Sequence, residues 1–261
     1  MFLNIGGRER TLKVVFHERY KEVYASDPAA AAGRLDLMVE ELAGSFPFVE
    51  PAPATDDDVL LVHTPGHLER VKQRPHTCEI ALLAAGGAIL ASELAMQGEM
   101  AFGLIRPPGH HASPGSSWGF CWFNNIAIAV ERLRRRGEIN RALIIDIDLH
   151  YGDGTANIFA GVPEVTYHHV EGISRERFLR DLELTCRGEF DLVAISAGFD
   201  RHEADWGRLL KTEDYEAAGK IIGTFARQKC RGRVFAVLEG GYNSDVLGKN
   251  ANALLRGLEQ E

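Results

Sequence analysis

Short apolar runs recur along the chain between longer segments whose apolar residues are spaced three and four positions apart. The clearest run, Leu-Ile-Ile at residues 143–145, is typical of a strand buried on both faces of a parallel sheet, because both of its sides are apolar. Similar runs predict further strands at residues 12–16, 101–105, 164–168, 190–196 and 233–238.

The longer segments predict the helices that would cover these strands. Residues 77–97 form an alanine-rich helix with a broad apolar face, and we interpret its Gly86-Gly87 pair as a place of close packing. Further helices are expected within residues 29–44 and at 65–72, 126–135, 155–159, 175–184, 212–230 and 245–258. Strands that alternate with helices in this way predict βαβ units, and hence an α/β fold with a mostly parallel sheet covered on both faces.

Two stretches between these elements carry local signals. Residues 47–53 contain three prolines and predict a loop. Residues 57–63 fit either a short helix, since Thr55 and Asp58 resemble a capping box, or a strand. Repeats, low-complexity segments and domain linkers are not apparent, so we expect one domain over residues 1–261.

Acidic and imidazole side chains follow the 143–145 strand directly, in the stretch ALIIDIDLHYGDGT. In an extended segment alternate residues share a face, so Asp146, Asp148 and His150 can point at one small volume. Buried carboxylates are costly unless a cation or hydrogen-bond donors meet them, which indicates a metal site with its supporting residues. The alternative is a satisfied polar turn after a core strand.

Three other predicted strands also end in polar residues: His110 and His111 follow the 101–105 strand, Asp200 follows 190–196, and Tyr242 follows 233–238. Parallel strands share a direction, so these ends should meet at one edge of the sheet, where α/β proteins bind ligands. That convergence favours the metal site over the polar turn.

Composition narrows the class of partner. The net charge of −8 argues against a general nucleic-acid or anionic-membrane binder and mildly favours cationic ligands. The four cysteines lie far apart, which is typical of reduced thiols in a cytoplasmic protein. The amino-terminal residues lack a signal-peptide core, and no run approaches the ~20 apolar residues that span a bilayer. We therefore expect a soluble cytoplasmic protein.

Five motifs in order, RPPGHHA, GFCWFNN, DIDLHYGDGT, SAGFD and EGGYN, resemble those of the histone deacetylase superfamily, which includes acetylpolyamine amidohydrolases. The resemblance extends from about residue 28 to the carboxyl end. It implies the three-layer α/β/α sandwich of the arginase–deacetylase fold, and a zinc-dependent amidohydrolase that removes an acyl group, usually acetyl, from acyl-lysine or an acetylated polyamine.

The resemblance also implies roles for individual residues. One zinc ion per chain would be held by Asp148, His150 and Asp200. His111 would be the general base with His110 as its electrostatic partner, and Asp146 and Asp153 would support these two histidines. Tyr242 would stabilise the oxyanion. The substrate would be bound by Phe120, which forms a channel wall, and by Gly119 and Gly241.

The chain departs from the family's pattern at several positions. Tyr151 replaces the second histidine of the usual DxDxHH, and only HHVEGIS stands where a longer channel-forming loop is common. The shortened loops predict a wider or shallower pocket that could admit larger acyl groups, or a pocket completed by a second subunit of an oligomer. The family's potassium site uses main-chain carbonyls around residues 146–150 and a serine from the next strand. Residues 165–170 contain no serine, although the main-chain carbonyls could still bind K⁺.

Two other functions remain open from the sequence. An arginase-like ureohydrolase would need two manganese ions and additional bridging carboxylates, but after the 190–196 strand only Asp200 is placed as a ligand. A non-catalytic module that binds acylated amines is the second alternative. It is disfavoured because each catalytic position that the resemblance implies is filled.

Overall fold

The computed structural model describes residues 12–260, which form a seven-stranded sheet flanked by helices. Every strand pairing is parallel, so the predicted α/β class with a parallel sheet is confirmed. The strands are β1 (Lys13–Val15), β2 (Phe48–Val49), β3 (Ala101–Gly103), β4 (Ala142–Asp146), β5 (Val165–His169), β6 (Leu192–Ala197) and β7 (Val234–Leu238).

Helices cover this sheet. They are α1 (Asp36–Ala43), α2 (Asp56–Val59), α3 (Pro65–Lys72), α4 (Pro75–Met96), α5 (Asn125–Arg135), α6 (Asp153–Ile158), α7 (Arg175–Thr185), α8 (Thr212–Lys229) and α9 (Ser244–Glu259). Helix α4 packs against α5 and against β3 and β7, whereas α9 packs between α8 and α1. The strands between these helix groups are almost wholly apolar, and β4, β6 and β7 are buried along their full length.

The order of the strands positions the polar residues that follow them. Across the sheet the order is β2-β1-β3-β7-β6-β4-β5, so β3, β7, β6 and β4 are consecutive neighbours. These are the four strands whose ends carry the candidate residues. Because they are parallel, their carboxyl ends meet at one edge of the sheet.

Helix α4 corrects the expectation that no segment of the chain is long and apolar enough to span a bilayer. By length and composition it could cross a membrane, since its most apolar 18-residue window has a mean hydropathy of 1.6. However, 78% of that window is buried inside the protein. A core helix meets the same test, because it must be apolar on most sides when other elements surround it.

Three local predictions differ from the structure or are resolved by it. The expected loop at 47–53 contains β2, which pairs with β1 at the edge of the sheet. Of the helix expected within residues 29–44, only α1 forms. Gly33 has a φ of 76°, which is incompatible with a continuous helix. The capping box at Thr55 forms and begins the short helix α2.

The expectation that the chain lacks a signal peptide rests on its first eleven residues. These lie outside the described residues.

Candidate active site

Three side chains converge where β4 and β6 end. The Nδ1 atom of His150 lies 3.1 Å from Asp148 Oδ1 and 3.0 Å from Asp200 Oδ2. Main-chain amides hold the two carboxylates: His150 N and Gly240 N donate to the two oxygens of Asp148, and Leu149 N donates to Asp200 Oδ1. The carboxylates are fully buried, so the three ligand atoms face one another in a fixed arrangement.

This cluster fits a divalent cation. Although His150 Nδ1 is near, Asp200 Oδ2 is buried and accepts no hydrogen bond of good geometry. Burial and the charge of Asp148 raise the pKa of Asp200 to about 6, and contacts with both carboxylates raise the pKa of His150 to about 10. Tetrahedral zinc with ligands at about 2.0–2.1 Å spaces neighbouring ligand atoms about 3.3 Å apart, close to the observed separations.

Two adjacent histidines after β3 each meet a carboxylate. His110 Nδ1 lies 3.0 Å from Asp146 Oδ2, and His111 Nδ1 lies 2.7 Å from Asp153 Oδ1. The two imidazole rings are 4.1 Å apart, and both are buried. The structure thus brings together the histidine–carboxylate pairs that the resemblance implies.

The two histidines differ in how readily the imidazole takes up a proton. Burial disfavours the cation of His110, but the negative charges of Asp148 and Asp146 outweigh it and raise the pKa of His110 well above its usual value. Burial and the positive charge of His110 lower the pKa of His111. Of the two, His111 therefore favours the neutral imidazole, which can accept a proton.

Tyr242 lies on the loop after β7, and its ring stacks on Trp206 with centroids 4.0 Å apart. Burial raises the pKa of Tyr242, so the hydroxyl stays protonated and can donate a hydrogen bond. Arg34 holds this loop by donating to Gly241 O and Glu239 O, both at 2.8 Å. Gly241 has a φ of 118°, a conformation that favours glycine, so its identity supports the loop's path.

A cavity of about 120 Å³ opens over the cluster. His110, His111 and His150 line its base, and Phe120, Trp118, Trp206 and Tyr242 are among the residues of its walls. The Trp118 ring lies against His111 with centroids 3.9 Å apart and a tilt of 32°, and its Nε1 donates to Asp153. Gly119, with a φ of 59°, lets the chain pass close to this ring, since a Cβ there would lie 2.4 Å from His111 Cδ2.

Comparison with known proteins identifies the family. A model of the histone deacetylase domain matches residues 28–174 and 183–258. The chain belongs to the histone deacetylase family. It is 33% identical to a probable deacetylase of Methanothermobacter thermautotrophicus, over 82% of this chain and 80% of that protein. It is 29% identical to a histone deacetylase-like amidohydrolase of Pseudomonas aeruginosa, over 83% of this chain and 74% of that protein.

A solved structure agrees with the fold. The HDA15 HD domain superposes with a TM-score of 0.81 at 23% sequence identity, covering 95% of this chain and 89% of that chain. As a histone deacetylase family member, the protein is a deacetylase or amidohydrolase, a hydrolase of linear amides. Membership favours this activity over both the ureohydrolase and the non-catalytic module.

An arginine side chain contacts main-chain oxygens at the place where the resemblance allowed a potassium ion. The main-chain oxygen of Asp148 accepts a hydrogen bond from Arg201 Nε at 2.9 Å, and that of Val170 accepts one from Arg201 Nη2 at 2.8 Å. A guanidinium therefore already donates to one of the main-chain oxygens of residues 146–150, where the resemblance places the potassium ion.

Several residues around the site were not found from the sequence. Tyr167 donates to Asp146 Oδ2. Glu239 is buried and accepts from Gly109 N and His110 N. The signal for Glu239 was available, since it stands at the end of a strand that leads to the site. Trp206 and Arg201 lie on an irregular loop, where periodicity gives no direction for a side chain.

Proposed function

We propose that this protein is a zinc-dependent deacetylase that hydrolyses the amide of an acetylated amine. The observation that carries the proposal is the convergence of Asp148, His150 and Asp200 on one point, with a buried carboxylate oxygen of Asp200 left without a hydrogen bond. These three residues would hold the ion. When bound, zinc supplies Lewis acidity toward the amide carbonyl and the hydrolytic water.

His111 acts as the general base in this proposal. Asp153 accepts a hydrogen bond from Nδ1, which fixes the proton on that nitrogen and leaves Nε2 free to accept the proton of the attacking water. The same Nε2 then returns the proton to the amine as the C–N bond breaks, so that acetate and the free amine are formed. The cationic His110 lies beside it and offsets negative charge that develops on the substrate.

Tyr242 donates its hydroxyl proton in a hydrogen bond to the carbonyl oxygen as that oxygen gains negative charge. Its raised pKa keeps the proton on the hydroxyl across the physiological range. The stacked Trp206 ring and the Phe120 ring, 6.0 Å away, restrict the tyrosine ring to one orientation.

The size of the cavity supports acetyl as the acyl group. Its volume of about 120 Å³ equals that of about four water molecules, which suits an acetyl group better than a long acyl chain. The exposed Trp118 and Trp206 supply walls where the shortened loops supply none. Both acetyl-lysine and acetylated polyamines present an aliphatic amine that these aromatic walls could contact.

Turnover of acetyl-lysine peptides and acetylated polyamines by zinc-loaded protein tests the proposal. We expect His111→Ala to lower kcat/KM about 10²–10⁴-fold, the usual contribution of a general base. Tyr242→Phe should lower it about 10²–10³-fold, as expected for loss of an oxyanion donor. His76→Ala and Tyr151→Phe change exposed residues outside the cavity and serve as matched controls with unaltered turnover.

Metal analysis separates the proposal from its alternative. One zinc per chain, with activity lost to a chelator and restored by zinc, agrees with it. Two manganese ions per chain, or full turnover by both the His111 and Tyr242 variants, would refute it.

A further inference from the structure

Arg201, directly after the ligand position Asp200, is a buried cation with 5% of the residue exposed. Its Nε donates to Asp148 O at 2.9 Å and its Nη2 donates to Val170 O at 2.8 Å. His169 Nε2 lies 2.9 Å from the same Asp148 oxygen and 3.0 Å from Arg201 Nη2. The guanidinium thus links the loop after β4, the end of β5 and the loop after β6.

The way this charge is held is unusual for a buried arginine. Within residues 12–260, the structure records no ion pair between Arg201 and a carboxylate. Its guanidinium carbon lies 5.5 Å from the ring centroid of the buried Phe178, so an aromatic ring covers it as well. Main-chain carbonyl oxygens that replace the hydration shell are the typical ligands of a dehydrated potassium ion. The guanidinium is bound in the same manner.

We propose that Arg201 is a built-in replacement for a monovalent cation at the ligand loop, so that the centre needs no potassium. The inference rests on the proposed function in one respect, which is that Asp148 is a ligand of the metal ion in that proposal. Arg201 contacts neither the ligand atoms nor the cavity, so it is a positioning residue that acts through the main chain of Asp148.

The advantage of an arginine over an exchangeable ion is that its positive charge is always present beside the carboxylates. Asp146, Asp148 and Asp200 are three fully buried carboxylates close together, and their mutual repulsion needs a compensating positive charge. An exchangeable ion supplies that charge only while the salt concentration keeps it bound. A guanidinium keeps its charge at any accessible pH, and its planar fork fixes the directions of two carbonyl groups.

Thermal unfolding of the metal-free wild-type protein in KCl, NaCl and choline chloride at equal ionic strength gives the first test. We expect the three melting temperatures to agree to within about 1 °C, since about 1 kcal/mol of specific binding would shift Tm by several degrees. A rise in KCl alone would overturn the proposal.

Arg201→Ala gives the second test. The variant should melt about 5 °C or more below wild type in choline chloride, because two buried carbonyls each lose the hydrogen bond from Arg201. Potassium should restore part of that loss where choline does not, since removal of the side chain opens a carbonyl-lined site. Arg175→Ala, which removes an arginine that contacts Glu213 and Asp214, is the matched control and should show no preference among the salts.

Arg201→Lys keeps the inference testable if the alanine variant does not fold. The ammonium keeps the charge but loses the fork, so its Tm should lie below wild type and remain indifferent to potassium. A potassium response in the lysine variant, or none in a folded alanine variant, would refute the inference. Because melting needs neither substrate nor turnover, these results stand apart from the deacetylase assay.

Discussion

Among the individual residues of the site, Asp153 makes the connection that matters most for proton transfer. Its carboxylate accepts from His111 Nδ1 at 2.7 Å and from Trp118 Nε1 at 2.9 Å. A carboxylate can only accept, so both partners must present a proton to it. This fixes the tautomer of His111 and also ties Trp118, one wall of the cavity, to the proposed general base.

Asp153→Asn should lower kcat/KM about 10–100-fold. The amide can donate a proton to Nδ1, which would move the imidazole proton to Nε2 and remove the basic lone pair from the cavity. KM should change little, because the substrate contacts remain. Steady-state kinetics on an acetylated peptide measures both constants.

A second aspartate–histidine pair supplies the control. Asp181 Oδ2 lies 2.8 Å from His168 Nε2, away from the cavity lining. Asp181→Asn should keep wild-type kinetics. If Asp153→Asn kept them too, Asp153 would have no part in setting the tautomer.

The positions of some residues of the site could be predicted from the sequence, whereas those of others could not. Asp146 and Asp148 were predictable as polar residues at the end of a buried strand, although β4 ends at Asp146 and Asp148 lies on the loop that follows. His110 and Asp200 were predictable because parallel strand ends meet at one edge. The tryptophans were not, since their directions depend on loops with no repeating geometry. The contacts of Arg201 were not predicted, because a side chain next to a ligand in sequence is expected to face away from the ligand site.

At the scale of elements, α4 shows how close packing shapes the layer over the sheet. Its Gly86 faces the segment after β2, and a Cβ built there would lie 1.9 Å from Ala52 O. Main-chain atoms cannot move aside as a side-chain end can, so glycine is required for this approach. The interpretation of the Gly86-Gly87 pair as a packing feature agrees with this contact.

Gly86→Ala should therefore lower the free energy of unfolding by roughly 1–3 kcal/mol, the typical cost of overpacking. The substitution would raise helix propensity, so any loss must come from the contact with Ala52. Gly44→Ala is the matched control. A Cβ there would meet nothing within 4 Å and φ is −74°, so its stability should stay within about 0.5 kcal/mol of wild type.

Denaturant unfolding of both variants measures the difference. Equal stability of Gly86→Ala and wild type would show that α4 can shift outward at no cost.

Elements were predictable where they were long or strongly patterned. Helix α4 and strand β6 have enough apolar residues to reveal their type. Strand β2 has two residues, too few for any period to appear, and its place was read as a loop. Helix α1 was predicted too long because the backbone conformation of Gly33 is set by its surroundings.

At the scale of the whole molecule, His63 joins the layer of helices to the long loop that carries His110 and His111. Its Nε2 accepts from Asn124 N at 2.9 Å, and its Nδ1 donates to Ser113 O at 3.0 Å. Both contacts require the neutral ring, since a proton on Nε2 would face the Asn124 N–H. Burial, together with the neighbouring His67, lowers the pKa of His63 to about 4.

This pKa predicts an acid-sensitive contribution to stability. The folded pKa of about 4 lies below the unfolded value of about 6.5, so the unfolded state binds the proton first as the pH falls. The contribution is complete above pH ~6.5 and is lost as the pH falls toward ~4, by about 3 kcal/mol in all.

Denaturant unfolding of wild type and His63→Gln between pH 7 and pH 4 isolates this term, because glutamine can accept from Asn124 N and donate to Ser113 O without titrating. The variant should lose about 3 kcal/mol less than wild type over that interval. His76→Gln, at an exposed histidine, should follow wild type. Parallel curves for wild type and His63→Gln would contradict the prediction.

The four neighbouring strands β3, β7, β6 and β4 contribute the site, yet they are separated along the chain by more than a hundred residues between Gly103 and Val234. No short peptide of this protein can therefore bring the groups of the site together, and a cut anywhere between His110 and Tyr242 separates side chains that the fold places side by side.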